Sequence, residues 1–533
     1  MAFLTTKIPY QQTGFYSKII ADYLNNEEGI APFFEHGVNP DGLRNSIAKR
    51  AKYSINRKAL TEALRSKYTS HETQEAVLRN ISLLEHDTTF TITTAHQPNI
   101  FTGPLYFLYK ILHAIKLAEY CKQQFPQYDF VPVYYMGSED ADLDELGHIY
   151  INGEKLNWET GQTGAVGRML ADKPLLKLIE RIAGETGVEP FGEEIISLVK
   201  KNYNEGTSIQ DATLGFVNSL FGKYGLIILI PDRPRLKALA QDVFREELLR
   251  SPSSKITEET GKRLLDAGYP AQAYSREINF FYLLDDKRER LEKESGLWKV
   301  AGTNIVFTEE QLLHELQEHP ERFSPNVILR GIFQEMVLPN IAFIGGGGEL
   351  AYWLQTKEIF EHYAVPYPML VLRNSFLIAG KENTALKEKL GFSADEIFQP
   401  LQALQNRWIE KNTVNNLSVD AALAAAGETY GQLLHQAETI DSTLTQHIEA
   451  LKKNAQKRVS ELGKKMLRAE KRNHGAAMRQ IEKLKQQLFP NDNLQERIDN
   501  FIPYYAKWGD SLIETLYENS LALDQEFVVL EEI

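Results

Sequence analysis

A buried strand that ends in a polar turn and continues as a helix, within residues 90–118, constrains the fold more than any other feature of this chain. Residues 90–94 are aromatic or β-branched, which favours a strand. After Pro104 the apolar positions recur at three- and four-residue spacing, which predicts a helix; they are Leu105, Leu108, Leu112, Ile115 and Ala118. Because ligands bind outside the carboxyl ends of strands in open α/β sheets, the turn between the two elements is a candidate site.

The turn carries polar residues where the free N–H groups of a helix would attract an anion. They are His96, Gln97, Asn99, Thr102 and Gly103. An imidazole and an amide at this place can hold phosphate oxygens and stabilise developing charge, so His96 and Asn99 are the candidate catalytic residues. A simple polar cap of the helix would give the same pattern, and the residues alone leave both interpretations open.

A second apolar run, residues 129–136, follows that helix and ends in an acidic cluster. Strand, helix and strand in this order predict a right-handed parallel βαβ unit. The cluster therefore falls beside the first turn; its members are Glu139, Asp140, Asp142, Asp144 and Glu145. Carboxylates at a strand end could bind an amine, a sugar hydroxyl or Mg²⁺, whereas an exposed loop is the alternative.

A second strand–turn–helix unit lies at residues 341–357. The strand ends in the glycines Gly345, Gly346, Gly347 and Gly348, followed by Glu349. Glycines let backbone N–H groups approach a ligand, and a helix N-terminus favours an anion, which makes this turn a candidate nucleotide site. Arg373 and Ser375 end a later apolar run, 368–372, where they could clamp a phosphate. Gln334 is a further ligand candidate, although a structural ion pair at Arg330–Glu335 is equally consistent with the sequence.

The composition excludes several other classes of protein. Among the 533 residues, 59 Lys and Arg face 72 Asp and Glu, a net charge of −13, which argues against general nucleic-acid binding. The single cysteine, Cys121, rules out an intrachain disulfide and follows the apolar face of the first helix, so we expect it to be packed. No apolar run reaches the roughly 18 residues that span a bilayer. The N-terminus lacks a secretory signal, and we expect a soluble, cytoplasmic protein.

The two ends of the chain and its middle differ in pattern. Residues 1–85 are expected to be mainly helical, and residues 252–325 to form an inserted module that contains strands. From Leu433 to Leu488 the apolar residues follow a four–three alternation that predicts a coiled coil. Gly463 and Gly475 interrupt it, so a bend or a reversal is open. Its many Lys and Arg residues fit a solvated helix surface, or else a local phosphate or partner site.

Four segments together resemble the family of bacillithiol biosynthesis cysteine-adding enzymes. They are His96-Gln-Pro-Asn-Ile-Phe-Thr-Gly-Pro-Leu-Tyr106, Ser138-Glu-Asp-Ala-Asp142, Gly345-Gly-Gly-Gly-Glu-Leu-Ala-Tyr-Trp353, and Leu488-Phe-Pro with Leu494-Gln-Glu-Arg497. The resemblance runs along essentially the whole chain. It implies an α/β fold: a Rossmann-like parallel sheet similar to that of class I aminoacyl-tRNA synthetases, connecting insertions and a C-terminal α-helical coiled coil. The segment His96–Asn99 would stand where those synthetases carry a His-Ile-Gly-His motif.

The resemblance further implies a ligase that joins L-cysteine to the amino sugar of glucosaminyl-malate, giving bacillithiol. His96 and Asn99 would be catalytic. The residues implied to bind the substrates are Gln97, Thr102, Glu139, Asp140, Asp142, Gln334 and Trp353. Those implied to bind a nucleotide are Gly103, Gly345, Gly346, Gly347, Gly348, Glu349, Arg373 and Ser375. ATP is the simplest source of carboxyl activation, Mg²⁺ would accompany it, and the coiled coil would form a homodimer.

Domain boundaries follow from these expectations. We expect N-terminal helices and the first half of the core at 1–148, a connecting insertion at 149–222, and a core strand and helix at 223–250. A second insertion at 251–325 precedes the second half of the core at 326–392. A helical coiled-coil domain at 393–490 and a C-terminal helix on the core at 491–533 complete the chain. Two other functions remain open at this stage: a nucleotide-binding protein of another synthetase-like class, and a coiled-coil scaffold with a degenerate core.

Overall fold

The computed structural model describes residues 2–69 and 71–533, and a five-stranded parallel sheet lies at its centre. The first half of this sheet comes from the predicted βαβ unit. Its elements are β2 (Thr89–His96), α6 (Tyr106–Gln124) and β3 (Asp129–Met136). Five helices and one strand precede them in the chain and are described below. Strands β2 and β3 pair in parallel along their whole length, from Thr89 with Asp129 to His96 with Met136. The βαβ prediction is confirmed, and Cys121 is buried as expected.

The residues before β2 are mainly helical, as expected, and also contain one strand that the sequence did not predict. They form β1 (Phe3–Pro9), α1 (Tyr10–Thr13), α2 (Lys18–Leu24), α3 (Pro40–Arg50), α4 (Arg57–Tyr68) and α5 (Glu75–Leu83). Strand β1 escaped prediction because its partner lies at the other end of the chain, where Phe3 pairs with Glu532. Pairing over such a distance leaves no local signal in the sequence.

The region between β3 and the next core strand is a small hairpin followed by helices. Its elements are α7 (Leu143–Leu146), β4 (His148–Ile151), β5 (Glu154–Asn157), α8 (Lys173–Thr186), α9 (Gly192–Asn202) and α10 (Ile209–Phe221). Residues 192–221 therefore contain two helices, α9 and α10. Ser208 starts the second of them, because its side chain accepts a hydrogen bond from the backbone N–H of Asp211.

The third core strand precedes the inserted module. The chain forms β6 (Ile227–Leu229), α11 (Pro234–Lys237), α12 (Gln241–Arg250) and α13 (Pro252–Asp266), and then β7 (Phe280–Leu283), β8 (Arg288–Glu294), β9 (Leu297–Val300), β10 (Val306–Phe307), α14 (Glu309–Glu318) and β11 (Phe323–Pro325). The module is an antiparallel sheet in the order β10-β9-β8-β7-β11.

The second half of the core completes the parallel sheet in the order β13-β12-β2-β3-β6. It comprises α15 (Val327–Val337), β12 (Asn340–Gly345), α16 (Gly347–Leu354), α17 (Lys357–His362), β13 (Met369–Leu372), β14 (Ser375–Ala379) and α18 (Lys381–Leu390). The apolar run at 368–372 forms β13, and Arg373 and Asn374 separate it from β14. Strand β13 stays in the core sheet, whereas β14 joins the sheet β1-β15-β14.

The predicted coiled coil folds back on itself. Helix α19 (Leu401–Asn412) leads into α20 (Asp420–Ile440), α21 (Leu444–Asn473) and α22 (Gly475–Leu488). A turn at 441–443 makes α20 and α21 antiparallel partners, so that Gly427 lies opposite Gln456 and Gly463 opposite Val419. The reversal that the sequence left open therefore exists, although it lies before the glycines that suggested it.

The C-terminal residues return to the core as α23 (Ile502–Trp508), α24 (Asp510–Glu518) and β15 (Glu526–Glu532). Strand β15 pairs on one side with β1 and on the other with β14. Within the described residues, none of the helices combines the length and apolar character needed to cross a bilayer.

Candidate active site

The carboxyl ends of the parallel strands open onto one cavity of about 810 Å³. His96 ends β2, Gly346 and Gly348 stand at the start of α16 after β12, and Arg373 follows β13; all of them line the cavity. The two turns that the sequence marked as candidate sites therefore face each other across one space. We call this space the cleft.

Cationic side chains dominate the cleft. Three carboxylates line it, namely Asp140, Glu145 and Glu349, against seven cations: Lys110, Arg276, Arg288, Arg290, Arg330, Arg373 and Arg497. A cavity with low-dielectric walls and one dominant sign of charge concentrates ligands of the opposite sign. The arrangement favours an anionic substrate.

His96 lies on the floor of the cleft with a neutral imidazole. Its side chain is 6% exposed, and its Nε2 has no hydrogen-bond partner. Burial, and then the neighbouring cations of Lys110 and Arg373, lower the pKa of His96 well below its ordinary value. The rings of Tyr106 and Phe107 lie 5.3 Å from the imidazole, centroid to centroid. The site thus holds an imidazole that is neutral at pH 7, with its Nε2 enclosed by protein and unpaired.

Glu349 fixes the glycine turn rather than facing a ligand alone. Its Oε2 accepts a hydrogen bond from the Gly346 N–H at 2.8 Å and forms an ion pair with Lys110. Lys110 is 1% exposed and also donates to the Ala95 carbonyl at 2.8 Å, which ties the two turns together. Gly348 keeps the N-terminus of α16 open, since a Cβ there would meet no atom within 4 Å, whereas one at Gly347 would lie 3.5 Å from the Ile20 side chain.

Four arginines form the opposite wall of the cleft; they are Arg276, Arg288, Arg290 and Arg330. Asp140 lies within 3.4 Å of both Arg288 and Arg330. Burial would raise the pKa of Asp140, but Arg330 and Arg288 outweigh it and lower that pKa. Arg276 and Arg290 have no ion-pair partner within residues 2–69 and 71–533. We call this set the arginine wall.

The structure keeps several predicted ligands away from the cleft. Glu139 is buried in an ion pair with Lys237, which neutralises it. Asp142 is exposed and caps α7 by accepting from the Glu145 N–H at 3.1 Å. Within the cluster, Glu139 and Asp140 are therefore paired with Lys and Arg side chains, whereas Asp142 and Asp144 are exposed. Of the cluster, Asp140 and Glu145 line the cleft.

Asn99, Thr102 and Gly103 shape the turn instead of lining the cleft. Asn99 is 4% exposed and donates weakly to the Glu145 carbonyl at 3.4 Å. Phe101, Thr102 and Gly103 all have positive φ, and a Cβ at Gly103 would lie 2.8 Å from the Asn99 Cβ. Gly103 is needed for this close approach, not for contact with a ligand. Gln97, in contrast, lines the cleft.

Gln334, Trp353 and Ser375 are also held within the protein. Gln334 donates to Glu335 at 3.0 Å, and Glu335 is the buried partner of Arg50. Trp353 is 3% exposed and stacks on Phe343 with centroids 4.4 Å apart. Ser375 lies behind Arg373 and donates to Glu496 at 3.2 Å. These three side chains are therefore held by contacts within the protein and do not line the cleft.

Sequence reasoning missed the residues that give the cleft its charge. Arg288 and Arg290 are two residues apart on β8, a spacing that places both on one face of a strand. Lys110 interrupts the apolar face of α6, which is a recognisable sign of a buried charge with a partner. Arg497 lies in a segment far along the chain, and no local pattern connects it with β2.

Comparisons with known proteins agree with this architecture. Residues 3–374 match the model described as "Bacillithiol biosynthesis BshC, N-terminal Rossmann-like domain", and residues 376–532 match the corresponding C-terminal coiled-coil domain. The chain belongs to the bacillithiol biosynthesis BshC family. The predicted fold class, a Rossmann-like parallel core with a C-terminal coiled coil, is confirmed.

Relatives match along their full length. "Putative cysteine ligase BshC" of Flavobacterium psychrophilum is 37% identical over 530 residues, which covers 99% of both chains. The protein of the same name from Flavobacterium johnsoniae is 35% identical over 528 residues, again with 99% of both chains covered. A solved structure described as a putative arginyl-tRNA synthetase from Campylobacter jejuni shares 10% identity over 83% of this chain and 98% of its own, with a TM-score of 0.21.

Proposed function

We propose that this chain is a ligase that joins the carboxyl group of cysteine to the amino group of glucosaminyl-malate, and that the cleft is its active site. The observation that carries the proposal is the cleft itself, where a neutral buried imidazole lies opposite the arginine wall. Family membership supports the reaction class, and the relatives are named for cysteine ligation.

The charge of the cleft fits the acceptor substrate. Glucosaminyl-malate carries two carboxylates on its malyl part, and arginine binds carboxylates with paired, charge-assisted hydrogen bonds. We assign those carboxylates to the arginine wall, where Arg276 and Arg290 have no protein partner. The sugar amine would then lie toward Asp140, Glu145 and His96.

His96 has the properties of a general base. An ammonium group must lose a proton before its nitrogen can attack an acyl carbon, and that proton needs an acceptor. We assign this role to the imidazole of His96, which lines the cleft and is neutral. Lys110 and Arg373 beside it would stabilise negative charge that develops on the acyl oxygen.

Amide formation from a free carboxylate is uphill in water, so the cysteine carboxyl must be activated. We propose ATP as the co-substrate, accompanied in solution by Mg²⁺. The open N-terminus of α16 at Gly346–Gly348, with Arg373 beside it, has the chemistry of a phosphate site. The described residues contain no group of three or more His, Cys, Asp or Glu side chains that could hold a metal ion.

The proposal is tested by incubating the full chain with cysteine and glucosaminyl-malate, with and without ATP, and measuring amide product by mass spectrometry. We expect product only with ATP, and a His96→Ala variant about 100-fold slower, as for loss of a general base. His86→Ala, a change of the same kind at an exposed turn, serves as the control and should be unaffected. Equal rates for wild type and His96→Ala would refute the role of His96; ATP binding without any ligation would favour a nucleotide-binding protein of another class.

We further propose a homodimer formed through the coiled-coil domain, and a cytoplasmic location, where cysteine and ATP are available. The antiparallel pair α20–α21 leaves large apolar side chains exposed: Leu433 at 44%, Ile440 at 79%, Leu444 at 43%, Leu451 at 40% and Leu462 at 55%. Such a row on a helical pair is a surface that a second copy could cover. Light scattering of the wild type and of a Leu451→Glu/Leu462→Glu variant tests it; a wild type that is monomeric at all concentrations would refute it.

A further inference from the structure

The segment 494–500, which connects α22 with α23, reaches into the core although it belongs to the C-terminal coiled-coil match. It contains the Leu-Gln-Glu-Arg motif that the proposed reaction has not used. Gln495 first attaches it to the edge of β14, because its side chain accepts from the Ile378 N–H at 3.0 Å and donates to the Ile378 carbonyl at 3.1 Å. The segment is therefore fixed to the core on entry.

Glu496 is fully buried, yet its carboxylate is completely satisfied. Oε1 accepts from Arg373 Nη2 at 2.7 Å and from the Ser375 hydroxyl at 3.2 Å. Oε2 accepts from the Phe376 N–H at 3.3 Å. A buried carboxylate is tolerated only with such partners. Glu496 thus holds Arg373 in one orientation.

Arg373 faces the cleft from this fixed position. Its guanidinium also donates to the Asn374 carbonyl and to the Ser375 hydroxyl, each at 3.1 Å. Its remaining face lies over the Tyr106 ring, 4.9 Å from the centroid, at the wall of the cleft. Although burial alone would lower the pKa of Arg373, Glu496 raises it, so the cation is permanent.

Arg497 is the next residue, and it has the opposite character. Its side chain is exposed and lines the cleft. No hydrogen bond or ion pair connects that side chain to any residue in 2–69 or 71–533. An arginine that faces a cavity without a partner is available for an anion.

Asn500 connects the end of the same segment with the turn after His96. Its Nδ2 donates to the carbonyls of Phe101 at 3.0 Å and Gly103 at 2.6 Å. Those residues lie in the stretch with positive φ at 101–103, which belongs to the turn after His96. Non-glycine backbone in this conformation is strained and persists only when its surroundings hold it. The segment therefore also supports the turn after His96.

We propose that segment 494–500 completes the active cleft: Arg497 binds an anionic group of a substrate, and Glu496 positions Arg373 for the same group. The inference rests on the proposed function for the identity of the substrates. The group is a carboxylate or a phosphate, which glucosaminyl-malate and ATP respectively supply. Arg497 is a binding residue, whereas Glu496 acts only through Arg373.

Binding measurements separate the two sources and do not depend on turnover. Glucosaminyl-malate and ATP are titrated separately into the full chain by calorimetry. We expect Arg497→Ala to weaken one of the two probes about tenfold and to leave the other unchanged, as for loss of one charge-assisted hydrogen bond. Arg479→Ala, which removes an exposed arginine on α22 outside the cleft, is the matched control and should bind both probes as wild type does.

The role of Glu496 is tested against a second buried arginine–carboxylate pair. Glu496→Gln and Glu335→Gln each disrupt such a pair, with Arg373 and with Arg50. Both should lower the melting temperature, but only Glu496→Gln should weaken the probe that Arg497→Ala weakens. In turnover, Glu496→Gln should raise KM for that substrate more than it lowers kcat, and Glu496→Asp should recover part of the loss.

Three results would overturn the inference. The first is wild-type affinity of Arg497→Ala for both probes. The second is a loss of affinity in Glu335→Gln equal to that in Glu496→Gln, because the effect would then be general destabilisation. The third is a wild-type chain that binds neither probe. If the affinities change as expected but no amide forms, the proposed reaction fails while the role of the segment stands.

Discussion

The two sides of the cleft contain the same kinds of charged residue but differ in how these residues are paired. On the strand-end side, each cation has its own carboxylate: Lys110 pairs with Glu349, and Arg373 with Glu496. On the arginine wall, Arg288 and Arg330 share Asp140, whereas Arg276 and Arg290 have no ion-pair partner among the described residues. Paired charges fix the shape of a site, whereas unpaired charges raise its affinity for an anion. The comparison indicates that the core supplies geometry and that the arginine wall supplies substrate recognition.

Removing charge from the arginine wall should have the largest effect on catalysis. We expect Arg288→Gln/Arg290→Gln to raise KM for glucosaminyl-malate about 100-fold, since each arginine contributes a charge-assisted hydrogen bond of about 1.5 kcal/mol or more. Steady-state kinetics at varied glucosaminyl-malate measures it. Lys287→Gln/Lys299→Gln removes two charges from the same module outside the cleft and should leave KM unchanged. An unaltered KM in the first variant would remove the arginine wall from substrate binding.

Substitutions should lower the free energy of unfolding much more on the strand-end side than on the arginine wall. Lys110→Met leaves Glu349 without its partner, and because that carboxylate is 25% exposed we expect a loss of about 2 kcal/mol in the free energy of unfolding. Arg290→Gln breaks no ion pair and should change that free energy by less than about 0.5 kcal/mol. Urea denaturation compares them. Equal losses would show that the two sides do not differ as described.

Salt should affect substrate binding more than it affects folding. Exposed arginines are screened at high ionic strength, whereas buried pairs are screened much less. Between about 50 and 500 mM salt we expect the affinity for glucosaminyl-malate to fall about fivefold. Calorimetric titrations at three salt concentrations, with melting temperatures recorded alongside, test this. Salt-independent affinity would mean that the arginine wall does not contact the ligand.

Acidification should lower the stability of the folded chain through protonation of His96 on the strand-end side. The folded-state pKa of His96 lies well below its ordinary value of 6.5 because of burial, Lys110 and Arg373. Its contribution to stability is therefore fully present above pH 6.5 and is lost as the pH falls through the folded-state pKa. We expect His96→Gln to lose less stability than the wild type on acidification. Identical pH profiles would contradict the buried neutral imidazole.

The strand-end side could be predicted from the sequence, and the arginine wall could not. Apolar runs and polar turns at 90–104 and 341–349 are local signals, and they located His96 and Glu349 in one cleft. The arginine wall depends on how an antiparallel module folds over the sheet, a tertiary placement that periodicity does not encode. Strand β1 and segment 494–500 were missed for the same reason, since their partners lie hundreds of residues away.

Polar residues near a strand end were the least reliable guides. Asn99, Glu139 and Gln334 were selected by position in the sequence and Trp353 by the family resemblance, yet each is buried against protein. Glu139 and Asp140 of the acidic cluster form ion pairs with Lys237 and Arg288, which lie nearly a hundred residues or more further along the chain. Position along a strand thus predicted where a site lies, but the pairing of charges decided which residues face it.

A crystal structure of the full chain with glucosaminyl-malate bound tests the central claim most directly. We expect the malyl carboxylates on the arginine wall and the sugar amine at about 3 Å from the His96 imidazole, within hydrogen-bond reach of the base. A ligand bound outside the cleft, or one whose amine points away from His96, would contradict it.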